Sequence, residues 1–276
     1  MSLVKLLNKN IMPIVFTAIT PHPPVLIPDI GKDHLEKVKK TEESMKRLEQ
    51  DFYVSKAESI VIISPHGNVL EDAFTINLNA DYKANFKDFG DFSLELSFRS
   101  DYMTIQEIRA ADESNQESPI VLTSNQEIDY GFSVPLYFLT QHAKNIPIIP
   151  ITYSALDYES HYKFGQFLHR QLSKINKRFA VIASGDLSHT LTKEAPGGFQ
   201  PEAEEFDKKI VEQISNKDFA GIMKTDQKLA HKVGECGLRS IVTLGGLLEE
   251  LNATPELFSY ESPFGVGYAV ANFKLA

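Results

Sequence analysis

Short, unbroken β-branched runs alternate along this chain with stretches of helical periodicity, and that alternation leaves few folds open to it. The runs are "PIVFTAIT" (13–20), "AESIVIISPHGN" (57–68), "SPIVLTS" (118–124), "NIPIIPITY" (145–153) and "KRFAVIASGD" (177–186). A strand that is apolar on successive residues has no wet face, so it must be covered from both sides. The covering material lies between the runs, in helix-like stretches at 32–53, 101–113, 133–143 and 157–176. In the first of these Leu35, Val38, Met45, Leu48 and Phe52 recur near the 3.6-residue period. Residues 73–100 instead alternate apolar and polar around Gly90, which reads as antiparallel strands to one side. The last third adds helix-like segments at 201–215, 217–224 and 238–252 and closes with strands around "LFSYES" and "GVGYAVANFKLA". This order predicts an α/β fold, a single domain with a central mixed, largely parallel sheet flanked by helices on both faces. No Pro/Gly/Ser-rich linker divides the chain. The domain is therefore expected over 12–276, with 1–11 as an N-terminal extension or leader.

Charge and cysteine content narrow the chemistry. A formal net charge of −9 argues against a nucleic-acid surface, which needs clustered Lys and Arg. No apolar run approaches the roughly 18 residues that span a bilayer, and the first residues lack a secretory signal pattern. A cytoplasmic protein without a membrane partner is the expectation. The single cysteine, Cys236, excludes an intrachain disulfide and multi-cysteine zinc sites. A metal would be held mainly by histidine and carboxylate.

Three of the eight histidines stand at strand ends, where ligands of open α/β sheets gather: His22, His66 and His189. His22 is bracketed by Pro21, Pro23 and Pro24, a stiff path that suits either an aimed imidazole or a plain rigid turn. His34, His161, His169 and His142 lie in or near helical patterns and read as ordinary helix residues, while His231 is ambiguous. Two imidazoles and one carboxylate make the facial triad of non-haem Fe(II) sites, and a third, unligated histidine could serve as acid/base. Glu235, held between Gly234 and Cys236-Gly237, is the candidate carboxylate. In "SGDLSH", Asp186 and Ser188 either cap a helical turn or attend a neighbouring imidazole. A serine hydrolase is disfavoured by the lack of a G-x-S-x-G elbow, and no phosphate-binding glycine loop is present. The loop 192–205, with Gly197, Gly198 and two prolines, is the expected mobile segment near this chemistry.

The motifs "TPHPPVLIPDIG", "IISPHGN", "DYGFSVPLYFL", "ASGDLSH", "GECGLRS" and "FGVGYAVANF", in this order over 14–273, resemble the LigB-like family. These are the catalytic subunits of class III extradiol ring-opening dioxygenases, and the likeness is to the branch associated with AMMECR-type and Memo proteins. The resemblance implies Fe(II) bound by His22, His66 and Glu235, His189 as acid/base, and a small aromatic diol and O2 as substrates. It implies substrate contacts from Asn68, Asp186 and Ser188, and association into a homo-oligomer. Many relatives carry histidine where this chain has Tyr130, a phenol that donates a hydrogen bond but shuttles protons poorly near pH 7. Memo-like relatives have a cysteine matching Cys236, which as ligand would move the preference toward Zn or Cu and toward redox or regulatory roles without ring cleavage. His22→Ala is expected to abolish metal retention with an unchanged circular dichroism spectrum. Stoichiometric metal in that variant would remove His22 from the ligand set.

Overall fold

The computed structural model describes residues 13–115 and 119–276, so the expected leader at 1–11 lies outside the described residues. In chain order the elements are β1 (Ile14–Thr20), α1 (Pro28–Gly31), α2 (Lys39–Ser55), β2 (Ser59–Ser64), β3 (Phe74–Asn77), β4 (Asp81–Phe86) and β5 (Asp91–Arg99). There follow α3 (Tyr102–Asn115), β6 (Ile120–Thr123), α4 (Tyr130–Leu139), β7 (Ile148–Thr152), α5 (Tyr158–Leu172) and β8 (Phe179–Ser184). The chain closes with α6 (Ala203–Ser215), α7 (Phe219–Met223), α8 (Gln227–Val233), α9 (Leu238–Leu247), β9 (Ala253–Glu261) and β10 (Tyr268–Leu275).

Among the described residues eight strands form one sheet in the order β6-β3-β7-β2-β8-β1-β10-β9. Its centre, β7-β2-β8-β1, is parallel. The flanks turn antiparallel where β3 meets β7 and where β10 meets β1 and β9. This is the expected mixed, largely parallel sheet. The hairpin β4–β5 forms a separate two-stranded sheet, turned at Gly90 with φ +84°.

Both faces are covered, as the unbroken apolar runs require. Along β2, Val61 and Ile63 join one core with α3, α5, α6 and α9, while Ile60 and Ile62 join the other with α2, α4 and the hairpin. All four side chains are fully buried. At about 1.5–3 kcal/mol each, their burial rivals the net stability of a whole domain, about 5–15 kcal/mol. Neither helical layer is dispensable.

The helix expected over 32–53 is broken at its start. Lys32 has φ 45°, residues Lys32–Val38 wind as a 3₁₀ segment, and the α-helix begins only at Lys39. The stretch expected at 133–143 begins earlier, because the Asp129 carboxylate caps Gly131 N. Helix α8 went unexpected; its apolar positions are too few to show a period. The 192–205 loop is tied down by backbone bonds from Gly197 N to His189 O (3.0 Å) and Gln200 N to Thr190 O (2.9 Å).

His161, on α5, is fully buried, edge-on to Phe74 at 4.9 Å, with Nδ1–H donating to Asp157 O at 2.7 Å. Burial, with a smaller contribution from Arg239, lowers its pKa to about 4. The unfolded chain takes up this proton near pH 6.5, well before the folded one does. The stability this residue contributes is therefore full above pH 6.5 and is lost as pH falls toward 4. The loss should reach about 3 kcal/mol. Urea unfolding of the wild type and His161→Phe at pH 7, 6 and 5 checks this: the gap between them should narrow steadily in the variant's favour as pH falls.

Candidate metal centre

Strands β2, β8 and β1 are adjacent and parallel, so their carboxyl ends deliver His66, the 185–189 turn and His22 to one edge of the sheet. After β1 the proline bracket does its work. Pro24 opens a 3₁₀ turn in which Leu26 N bonds Pro23 O, and Leu26 and Ile27 are anchored in the core. His22, itself buried, has its backbone N–H bonded to Asp186 Oδ1 at 3.1 Å.

Each imidazole is oriented by its Nδ1. Ser184 Oγ–H donates to Gly131 O at 2.5 Å, so the Ser184 oxygen must accept from His22 Nδ1–H at 3.0 Å. That fixes the tautomer and leaves His22 Nε2 with a free lone pair. His66 Nδ1 lies 3.0 Å from Asp129 Oδ1, which likewise leaves its Nε2 unengaged. The two rings meet edge-to-face with centroids 4.8 Å apart. Gly131 permits the approach, since a Cβ there would lie 2.6 Å from both His66 Cδ2 and Ser64 Oγ.

Facing His22 are Asp186 and Cys236. Their loops cross backbone to backbone: a Cβ on Gly185 would fall 2.2 Å from Gly237 Cα. The crossing is tied by Asp186 N to Cys236 Sγ and Cys236 N to Asp186 O, both 3.2 Å. His22 Nε2 stands 3.7 Å from Asp186 Oδ2 and 3.7 Å from Cys236 Sγ, and the three donor atoms lie within 4.8 Å of one another. His189 Nε2 is 4.0 Å from Asp186 Oδ2. The His66 and His189 side chains stay 24% and 26% exposed, so the cluster opens to solvent between them.

Burial drives every member of the trio toward its uncharged form. It holds His22 well below its usual range, helped by His66 and His189. It pushes Asp186 up to about 6 and Cys236 far above an ordinary thiol. A divalent cation supplies the missing charge, letting carboxylate and thiolate form with proton release. The donor set therefore fits a metal.

The expected site residues separate into groups. His22, His66, His189, Asp186 and Cys236 come together. Tyr130 joins them, its ring 4.3 Å from His66 and 5.7 Å from His22, with burial and then Asp129 raising its pKa to about 12. Glu235, expected as the carboxylate ligand, is not in the converging trio. Its Oε2 accepts from Leu238 N at 2.7 Å at the start of α9, and burial raises it to about 7. Ser188 is fully buried, its N–H on Asp207 Oδ1 (2.9 Å), and Asn68 is exposed with its carbonyl held by Thr75 Oγ1. Ser184, Asp129 and Asp207 were missed. Asp129 was findable as a helix cap before "YGF"; Ser184 and Asp207 act across distant elements and leave no local signal.

Residues 16–271 match the family described as the catalytic LigB subunit of aromatic ring-opening dioxygenase. The chain is 32% identical over 268 residues to Protein CA_C1420 of Clostridium acetobutylicum, covering 93% of this chain and 56% of that protein. It thus spans about half the length of that relative. A shorter likeness, 28% over 80 residues, links 27% of this chain to 26% of the 2,3-dihydroxyphenylpropionate/2,3-dihydroxicinnamic acid 1,2-dioxygenase of Klebsiella pneumoniae. The crystal structure of uncharacterized protein JW3007 from Escherichia coli K12 shares the fold, with a TM-score of 0.66 at 12% identity over 94% of this chain and 99% of that one.

Ser184→Ala removes the acceptor that fixes the His22 tautomer. Metal affinity, measured by chelator competition, should fall about 10–100-fold while the fold is retained. An unchanged affinity would mean that Ser184 does not control the ring.

Proposed function

The chain belongs to the LigB family of catalytic subunits of aromatic ring-opening dioxygenases, and on that premise we propose that it opens an aromatic diol ring by the extradiol route. The observation that carries this reading is the convergence of the His22, Asp186 and Cys236 donor atoms at the carboxyl edge of the sheet, with the His66 ring packed against His22. His22 and His66 would hold Fe(II), with a third donor from Cys236 or Asp186. When bound, the metal supplies Lewis acidity toward the two diol oxygens and a redox route to dioxygen.

In the balanced reaction both atoms of O2 enter the product. The ring C–C bond beside the diol breaks, giving a carboxylate and an aldehyde, and no external reductant is consumed. The diol must lose protons on binding. His189, a quarter exposed and beside Asp186, would accept one and return it as the ring opens. Tyr130, its phenol raised to about 12, stays protonated. It donates a hydrogen bond at the open side and, with Phe89 at 5.1 Å, offers an aromatic wall to a planar substrate.

A second reading is favoured by Cys236 Sγ lying 3.7 Å from His22 Nε2. A thiolate ligand suits Zn or Cu, and the protein would then be a metal-binding redox or regulatory protein without ring cleavage.

Anaerobic purification with metal analysis, followed by oxygen uptake on a catechol panel after Fe(II) loading, separates the two. The dioxygenase reading expects catechol-dependent uptake and a yellow ring-opened product. Bound metal without uptake across the panel favours the second. Cys236→Ala is expected to lose metal and Glu235→Gln to keep it; the reverse pattern would return Glu235 to the ligand set.

A further inference from the structure

The hairpin β4–β5 stands apart from the main sheet, yet its tip reaches Tyr130 at the candidate metal centre. Tyr82, Ala84 and Phe86 on β4 bury one side of the hairpin in the same core as Phe132 and Leu136 of α4. The chain then leaves that core. Lys87–Phe89 wind as a 3₁₀ turn, and Gly90 takes the positive φ that reverses its direction. Both ends of the turn are held. Before it, Asn85 Oδ1 accepts from Lys87 N at 3.3 Å. After it, the buried Asp91 uses one oxygen, Oδ1, to accept from Ser93 N (2.8 Å), Ser93 Oγ (2.8 Å) and Leu94 N (3.1 Å).

Phe89 is the residue this clamped turn presents. Its ring stands 5.1 Å from the Tyr130 ring at an interplanar angle of 78°, a favourable edge-to-face contact. Among the described residues it makes no ring contact with His22 or His66, whereas Tyr130 touches both. Phe89 is therefore one ring farther from the donor atoms than Tyr130. It stays 39% exposed, so it fills no core and faces solvent at the outer edge of the phenol. Phe92, on the same hairpin, is 78% exposed and has no ring partner among the described residues. A side chain held by its backbone and by one aromatic neighbour is a fixed wall, and fixed walls set the size of a ligand. A diol that grips a metal through both oxygens carries the opposite edge of its ring away from the metal, so the groups beyond Tyr130 meet that far edge.

We propose that Phe89 is a specificity-determining residue: the clamped hairpin tip closes the far end of the site and limits the ligand to a single aromatic ring. The proposal rests on the ring-opening reading for the identity of the diol, but its test does not need turnover. Anaerobic titration calorimetry on Fe(II)-loaded protein compares catechol with 2,3-dihydroxynaphthalene, which has the same diol and one more fused ring. The wild type should bind catechol at least about tenfold more tightly, although the second ring brings more apolar surface to bury. Phe89→Ala should cut that preference about tenfold by tightening the naphthalene diol, with metal content unchanged. Asp91→Ala keeps the ring and removes the clamp, and should move the ratio the same way by a smaller factor. Phe92→Ala should leave the ratio where it is. Equal affinities in the wild type, a preference that survives Phe89→Ala, or an equal loss in Phe92→Ala overturns the proposal. Because the first comparison uses the wild type alone, a misfolded variant does not blunt it. A wild type that binds neither diol overturns the proposal together with the ring-opening reading. Oxygen uptake on the same two compounds tests that reading separately: binding selectivity without uptake sinks it and leaves the size limit standing.

Discussion

The candidate centre depends on one close crossing. The turn after β8 and the turn before α9 touch at Gly185 and Gly237, where a single added Cβ would lie 2.2 Å from the opposing Cα. Because no side chain intervenes, Asp186 and Cys236 can exchange hydrogen bonds at 3.2 Å and present oxygen and sulfur toward the same imidazole. The crossing is braced from behind. Asp207 on α6 accepts from Ser188 N and from the Tyr260 hydroxyl on β9, fixing the backbone one residue before His189. The sheet supplies the remaining alignment, since parallel neighbours end at the same level.

Electrostatics and packing are linked at this edge. The same burial that makes β1, β2 and β8 a continuous core also desolvates His22, Asp186 and Cys236 and holds each near its neutral form. Left alone, the group stores unfavourable ionisation rather than charge. A cation reverses the sign of that cost. On the wetter side, His66, His189 and Tyr130 keep partial exposure, so the site divides into a dry ligand wall and an approachable face.

Much of this was legible in the chain, and for local reasons. The apolar runs that became β1, β2, β7 and β8 could only be two-sided strands, and the histidines following them could only lie near the sheet's edge. Element ends were less legible. The 3₁₀ start before α2 depends on the backbone of Lys32, and the early start of α4 on a cap from Asp129. The carboxylate of the site shows the limit most clearly. Glu235 and Asp186 are equally acidic in sequence and both flanked by glycine, yet one caps a helix and the other faces His22.

The α/β class, the mixed, largely parallel sheet and the histidines at its carboxyl edge are readable along the chain, because strand periodicity and proline stiffness are encoded within a few neighbouring residues. Which acid meets the imidazole, that Cys236 joins it, and that Ser184 and Asp129 set the ring tautomers all had to wait for the folded chain. Those contacts link residues 50 to more than 200 positions apart. They exist only once the loops have crossed, and no local pattern of residue types specifies where a carboxylate points when two candidates stand on either side of the same glycine contact.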